Sequence, residues 1–579
     1  MNNALTSRKS IMLLTFIVLV VYYPTLFAPL NSVDDIGMHQ ILLNSDEFSL
    51  QNIFLPGVSG SYYRPVLFLS FMMDKFVWGL EESFMHLENI LLHLANTLLV
   101  FAIARRSFLR FSDPSPIVPF TTALFFAIHP LNTEAVNWIS GRTDLLAGFF
   151  LLLAMFLLLR RPLIWPWSLL AAACMLLACL AKETAIFFLP AALLFPFYFN
   201  AHKTDAKPIN AIAHQYWQHL LLFTIVGSGY FVIRTLAFSK GDQGIARVMT
   251  HITGSESAGI IFNLRLVFKA IGFYAKKLLF PFPLNFGITH VSDFYLPLGV
   301  MVLFGMAWLL SRRAIPSFFL ICAGAVGSSA LMIPLLRLTW TPLAERYMYI
   351  PTAFFLTGLV LAVSRWIERH TRYRNVLLLL IIGLSGIALN GTVTRNIVWQ
   401  NNLTLFQDTL QKSPDFIPAQ NEIANALYAK GKKEEANIIY KSFNETPGLI
   451  NSQYGLKNKA FALMSEGNFN EARSILKQLL ANPGKHEISI LRQVLELNKI
   501  QVAEKKATTK DVYGESVTTL TRLIELTNDP FYSYRLGIVH LQMSERQKAL
   551  VAFNTVIKTA SPTAYYLKPA EKLVEDLEK

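Results

Sequence analysis

The chain has 579 residues, of which 53% are hydrophobic and only 16% charged, with a mean hydropathy of +0.40; a soluble globular chain carries charge on about a quarter of its residues, so a wholly soluble protein is excluded. The net charge of +14 does not point to nucleic acid, because much of the excess lies in short clusters beside apolar runs: Arg8-Lys9, Arg105-Arg106 with Arg110, Arg160-Arg161, Arg312-Arg313 and Arg365 to Arg374. Cys174, Cys179 and Cys322 all fall inside apolar runs, which argues against a structural disulfide or a zinc site.

The first apolar run, Ile11 to Leu30, is long enough to cross a bilayer. Arg8 and Lys9 precede it as they would a signal peptide, but it is longer than a usual signal core and ends in Ala28-Pro29-Leu30 without a clear cleavage site, so it reads as a retained membrane helix. It leads directly into Asp34 and Asp35. Two neighbouring carboxylates at a span end repel each other, and one keeps a raised pKa unless a cation lies nearby, an arrangement that suits a general base or a metal ligand.

Further spans are predicted over 86–104, 116–131, 142–159, 164–181, 185–200, 217–236, 296–310, 315–336, 350–366 and 376–393, giving eleven in all. With the basic clusters inside, the N-terminus is cytoplasmic and the C-terminal part is carried outside. Ile261 to Phe282 is apolar but contains Arg265, Lys269, Lys276 and Lys277. A span there would turn Arg312-Arg313 and the later cluster outward, so an interfacial helix is predicted instead.

On this topology five loops bring charge to the outer face. They carry Asp34, Asp35 and Tyr63-Arg64-Pro65, then His129 to Glu134 with Arg142 and Asp144, then Lys182-Glu183, then Arg234, and finally Arg337 with Glu345-Arg346-Tyr347. Singly, each has an ordinary role: arginines near span ends snorkel to headgroups, and carboxylates cap helices or pair with cations. His129, before Pro130, suits a turn or packing role as well as a catalytic one. Five loops sending charge to one face read as an assembled site. A divalent cation beside Asp34, Asp35 and Glu134 suits the residue types, but no ligand spacing demands one, and the expected site holds no metal.

From about Arg395 the composition becomes that of a soluble helical domain, giving two expected parts, 1–394 in the membrane and 395–579 beside it. Gly431, Glu435, Ala436 and Pro447 recur 36 residues later as Gly467, Glu471, Ala472 and Pro483. Leu536-Gly537, Ala549, Phe553 and Pro562 follow the same order, so three to four helix pairs of tetratricopeptide-repeat type are predicted. Such pairs stack into a solenoid with an extended surface suited to a peptide.

The stretch His129-Pro130-Leu131-Asn132-Thr133-Glu134-Ala135-Val136, continuing through Gly141-Arg142-Thr143-Asp144-Leu145-Leu146, resembles the signature of the transmembrane and tetratricopeptide-repeat proteins. These are O-mannosyltransferase-like members of the GT-C class of membrane glycosyltransferases. Val33-Asp34-Asp35, Tyr63-Arg64-Pro65, Ala181-Lys182-Glu183-Thr184, Ala344 to Pro351 and the repeat tail occur in the family's order. The resemblance implies an all-α fold, a polytopic GT-C-like helix bundle followed by an α-solenoid. It also implies transfer of a sugar from a polyprenyl-phosphate carrier to Ser or Thr hydroxyls of a protein, on the outer face. In that class an acidic residue of the first loop is the base, which maps to Asp34 or Asp35, with Asp35 narrowly preferred. Cations aimed at the departing phosphate are then Arg64, Arg142, Lys182, Arg337 and Arg346. Glu134 is expected to orient the acceptor or sugar, or to hold Arg142; His129, Asp144, Glu183, Glu345 and Tyr347 are supporting residues. The expected partners are the lipid-linked sugar, membrane lipids and a protein or peptide acceptor held by the repeats, with no nucleic acid. The few repeats suggest a prokaryotic homologue, placing the chain in a cell inner membrane with its repeat domain periplasmic and undecaprenyl phosphate as carrier. A non-catalytic membrane-anchored adaptor and an oligosaccharide ligase of the same fold are the competing readings.

Overall fold

The computed structural model describes residues 2–31, 34–43, 50–55, 63–109, 116–160, 163–199, 209–237, 260–312, 314–331, 343–414, 416–444, 456–457, 459–460, 463–464, 467–483, 487–503, 509–560 and 564–579. Among these there is no strand, only an isolated bridge between Ile288 and Leu343. Arg337, predicted to bind phosphate, lies outside the described residues.

Among the described residues, eleven apolar helices, labelled α1 to α11, lie where the predicted spans fall. Six are long enough to cross a membrane: α1 (Ser7–Phe27), α2 (Glu82–Phe108), α4 (Ile139–Leu158), α7 (Trp217–Ala237), α10 (Glu345–Arg369) and α11 (Thr371–Trp399). Five are shorter: α3 (Ile117–Ala127), α5 (Trp165–Ala181), α6 (Glu183–Phe199), α8 (Tyr295–Ser311) and α9 (Ile315–Leu331). Their large apolar side chains face outward without penalty, because the surrounding solvent is hydrocarbon.

Side-chain hydrogen bonds fasten one end of this bundle. Thr25 at the end of α1 donates to Asn137 Oδ1 at 2.8 Å, Asn137 Nδ2 donates to Asn396 Oδ1 of α11 at 2.8 Å, and Asn396 Nδ2 donates to the Val21 carbonyl at 2.8 Å. Thr392 of α11 donates to the Ile128 carbonyl just past α3 at 2.7 Å. The ends of α1, α3 and α11 therefore meet at one face of the bundle. The helix Ile260–Leu279, predicted as interfacial, fastens its cations to the starts of two other helices. Arg265 and Lys269 pair with Asp293 just before α8, and Lys277 pairs with Glu345, the first residue of α10.

The chain divides into two compact units. The first comprises Met1–Asp46, Arg64–Phe231 and His251–Phe416; the second comprises Glu47–Tyr63, Val232–Thr250 and Ile417–Lys579. The boundary thus falls after Phe416 rather than after residue 394. The helix Asn402–Lys412 stays with the first unit because Arg395 pairs with Asp408 at 2.5 Å, Phe406 meets Phe286 edge-on, and Asn285 donates to Ser413 at 2.9 Å.

The second unit is a series of helix pairs whose turns repeat. The Gly431 and Lys432 amides bond to the Tyr428 and Leu427 carbonyls; Gly467 and Asn468 do the same to Met464 and Leu463, and Ser544 and Glu545 to Leu541 and His540. Five residues after each turn a fully buried alanine follows: Ala436, Ala472 and Ala549. The turns need a left-handed residue, which is Gly431 at φ 79°, Gly467 at φ 76° and, less comfortably, Ser544 at φ 61°. A methyl group on Gly431 would meet open space, so Gly431→Ala isolates the backbone term. It is expected to cost about 1 kcal/mol, measured as faster amide hydrogen exchange in Ile417–Ala429 and Lys433–Asn444 of the full-length protein.

Candidate functional site

The segment between α3 and α4 supplies most of the predicted signature, and local bonds fix its course. His129 Nδ1 accepts the Leu131 amide at 3.3 Å, Asn132 donates to the Phe126 carbonyl at 2.8 Å, and Thr133 donates to the Pro130 carbonyl at 2.7 Å. The chain then folds back so closely that a Cβ on Gly141 would lie 2.5 Å from the Ala135 carbonyl oxygen. Burial lowers the His129 pKa to about 4, against a bond to the Leu278 carbonyl that raises it. A neutral, doubly bonded imidazole in this position is a turn residue.

This fold turns Glu134 inward, where it is buried. It accepts the backbone amides of Glu345 and Arg346 at 3.1 Å each, and Arg346 Nη1 reaches its other oxygen at 2.5 Å. Burial pushes the Glu134 carboxyl up, and Arg346 pulls it back. Glu134 therefore holds Arg346, not Arg142, and its lone pairs are committed to that task. The Arg346 guanidinium also lies over the Trp138 ring at 4.8 Å and the Tyr347 ring at 4.9 Å, an arrangement a flexible ammonium could not reproduce. Glu345 is held separately, by Lys277 at 2.6 Å and the Asn285 amide at 3.0 Å.

Two further cations each have a carboxylate partner. Arg64 makes a two-pronged pair with Glu183, Nε at 2.9 Å and Nη2 at 2.6 Å. Lys182 sits between both oxygens of Asp144 at 2.6 and 2.7 Å and lies over the Tyr347 ring at 5.3 Å. Burial lowers the Lys182 pKa and Asp144 raises it; Arg64 and Arg346 also act on this ammonium. Arg64, Lys182 and Arg346 thus form one electrostatic cluster, contributed by three separate loops.

The acidic pair divides. Asp35 is 1% exposed. Its Oδ1 accepts the Ser140 amide at 2.9 Å and the Ser140 hydroxyl at 2.5 Å, and Oδ2 accepts the Asn31 amide at 3.1 Å. Burial pushes its carboxyl up to about 6 against those bonds. Asp34 begins the same turn yet is exposed, and its carboxylate has no hydrogen-bond partner among the described residues. The protein packed around it raises its pKa, while Arg346 and Arg64 lower it. One carboxylate is locked into the loop; its neighbour lies within the electrostatic influence of two arginines.

Arg142 corrects the expected phosphate-binding set. It is the largest fully buried side chain; Nε donates to Asn89 Oδ1 at 3.0 Å, Nη1 to Asp74 at 2.6 Å and to Glu88 at 3.0 Å, and Nη2 to the Met85 carbonyl at 2.9 Å. All three nitrogens are used, and none faces solvent. In this arrangement Arg142 offers no nitrogen to a phosphate; a sequence motif marks that an arginine matters without saying which way it points. Asp74 offered the missing signal: in the largely apolar helix Pro65–Trp78, whose other charge is Lys75, it is an acidic residue, and a charge among apolar neighbours requires a partner. Glu88 has no mark in its local spacing, and Ser140, Trp138 and Lys277, although they lie in the signature stretch or the interfacial helix, carry no sign in sequence of the partners they meet here. Among the described residues no group of three or more His, Cys, Asp and Glu is placed to hold a metal ion.

Fold and site define an all-α membrane bundle in which cations held by carboxylate partners act electrostatically on one further carboxylate. No protein-family model matches the chain. Among curated proteins it is similar to mouse protein O-mannosyl-transferase TMTC1, 33% identical over 166 residues, 26% of this chain and 17% of that protein. It is also similar to the Drosophila melanogaster Tmtc1, 38% identical over 133 residues, 22% and 15% of the two chains. Mouse TMTC3 is matched over 463 residues at 23% identity, 73% of this chain and 49% of that protein. The resemblance read from the motifs is upheld, although the chain spans less than a fifth of TMTC1 and about half of TMTC3. A solved archaeal oligosaccharyltransferase, AglB from Archaeoglobus fulgidus, is matched with a TM-score of 0.34 at 12% identity over 69% of this chain and 55% of that one.

Proposed function

We propose that this chain is an integral-membrane glycosyltransferase that moves a sugar from a polyprenyl-phosphate carrier to Ser or Thr hydroxyls of a protein, on the outer membrane face. The observation that carries this reading is Asp34, an exposed carboxylate whose electrostatic neighbours are Arg64 and Arg346, each fixed by its own buried or half-buried carboxylate. In this reading Asp34 takes the proton of the attacking hydroxyl. Arg346 and Arg64, with Lys182 behind them, receive the charge that develops on the departing phosphate. Because Glu134, Glu183 and Asp144 hold the cations beforehand, little reorganisation is needed as that charge appears. Asp35 and Arg142 keep the loops in place and touch neither reactant. The repeat unit presents the acceptor, and the N-terminus is cytoplasmic.

The test is transfer of labelled sugar from polyprenyl phosphate to protein by the purified full-length chain, with a loss of transfer in Asp34→Asn. No transfer by the folded wild-type protein with any polyprenyl-phosphate sugar, together with stoichiometric capture of a partner, would favour the adaptor reading.

The pH dependence has a definite sign. Transfer requires the ionised Asp34, so the rate falls as pH drops through its raised pKa. Arg64 lowers that pKa, so Arg64→Met is expected to move the acidic limb to higher pH in addition to slowing the reaction. A pH-rate profile with an unmoved midpoint would remove Asp34 from the role of base.

A further inference from the structure

Among the described residues, the side-chain hydrogen bonds that fasten helix α11 to the bundle lie near its ends. At the site end it is held by Thr392 and Asn396, and at the other end the Thr371–Tyr373 turn ties it to α10. Between these points it stands away: only 11% of its most apolar stretch is buried. The space left against α3 and α10 is a crevice of about 590 Å³. It runs from Pro130 and Phe282 at the site end, past Leu359, Val363 and Leu384, to Thr371 and Arg374 at the other.

The far mouth differs in chemistry from the walls. Arg374 and the acid Glu368 line this mouth, and Arg365, Arg369 and Arg372 stand beside them within the same ten residues of sequence. Trp366 and Tyr373 stack at 5.5 Å, and Arg372 lies over Tyr373 at 4.6 Å. Aromatic rings and arginines together mark headgroup depth. Since α10 begins at Glu345 in the candidate site and ends at Arg369, this mouth lies roughly 35 Å from the site, about a bilayer's thickness. A sugar carrier must hold its phosphate beside Asp34, so a headgroup at this mouth belongs to another lipid.

We propose that the crevice is a binding site for a diacyl phospholipid with an anionic headgroup, taken from the leaflet opposite the candidate site. Its phosphate rests on Arg372 and Arg374, and its chains fill the gap between α10 and α11. A single positive side chain at a membrane surface is worth about fivefold in affinity for anionic lipid, so the two arginines together should give roughly 25-fold.

The experiment uses full-length protein delipidated in detergent and titrated with phosphatidylglycerol or phosphatidylcholine of identical chains, with binding counted by native mass spectrometry. The expected result is a preference of roughly 25-fold for phosphatidylglycerol, abolished in Arg372→Gln/Arg374→Gln. Leu384→Trp, which fills the crevice, should weaken both lipids. Equal affinity for the two lipids overturns the proposal, as does a preference that survives the double substitution. Displacement of bound phosphatidylglycerol by equimolar polyprenyl phosphate would give the crevice to the carrier's tail and overturn it as well.

Discussion

Asp34→Asn is expected to lower sugar transfer by roughly 10²–10⁴-fold, the range a positioned general base supplies, with the thermal transition unchanged. Asparagine keeps the shape of the side chain and removes only its ability to take a proton. Because the Asp34 carboxylate has no hydrogen-bond partner among the described residues, nothing structural is lost. Asp35→Asn should behave in the opposite way. Its two oxygens accept three donors, from Ser140 and Asn31, and an amide turned either way sets an N–H against a donor. Leaving such buried groups unsatisfied costs about 1–3 kcal/mol, so a lowered melting temperature is expected, with transfer lost only in proportion to folded protein. All nine tryptophans lie at or before Trp399, so intrinsic fluorescence follows the first unit alone. A folded, inactive Asp35→Asn with an unchanged melt, beside an active Asp34→Asn, would transfer the role of base to Asp35.

Arg142→Met is expected to destabilise the first unit by about 3–5 kcal/mol, because it strands Asp74 as an unpaired charge in an apolar interior. The pair's net worth is smaller than the cost of breaking it, since both charges lose hydration on burial. Asp74→Leu made together with Arg142→Met should therefore restore most of the stability. Transfer activity should return with it, because Arg142 is fully buried and aimed away from Asp34 and Arg346. A double variant that melts normally yet transfers at a hundredth of the wild-type rate or less would show Arg142 acting on the reactants. In that case its burial would have to be relieved during the reaction.

Much of this protein was legible in its sequence for reasons that are local. Hydrocarbon solvent demands long apolar runs, so the helices α1 to α11 could be read directly, whereas Pro65–Trp78 was not. The 36-residue recurrence of Gly431 and Gly467 marks a turn only glycine adopts easily, and the repeated turn bonds follow from it. That Lys182, Arg64, Arg346, Glu134 and Asp34 share one face followed from counting spans, since each loop alternates sides.

What sequence could not give was the pairing among those charges. The second-loop motif placed Glu134 eight residues before Arg142, but the tight turn at Gly141 sends the two side chains apart, toward Arg346 and toward Asp74. The difference between Asp34 and Asp35 is likewise tertiary, made by Ser140, more than a hundred residues away in the chain. Apolar length and turn-forming glycines act through neighbours in sequence, so composition and spacing alone determined a helical membrane protein with a repeat tail and a charged face. A carboxylate's role depends on which distant donor or cation reaches it in a medium of low dielectric, and only the folded chain decided that Asp35 is locked and Asp34 is left within the electrostatic influence of the arginines.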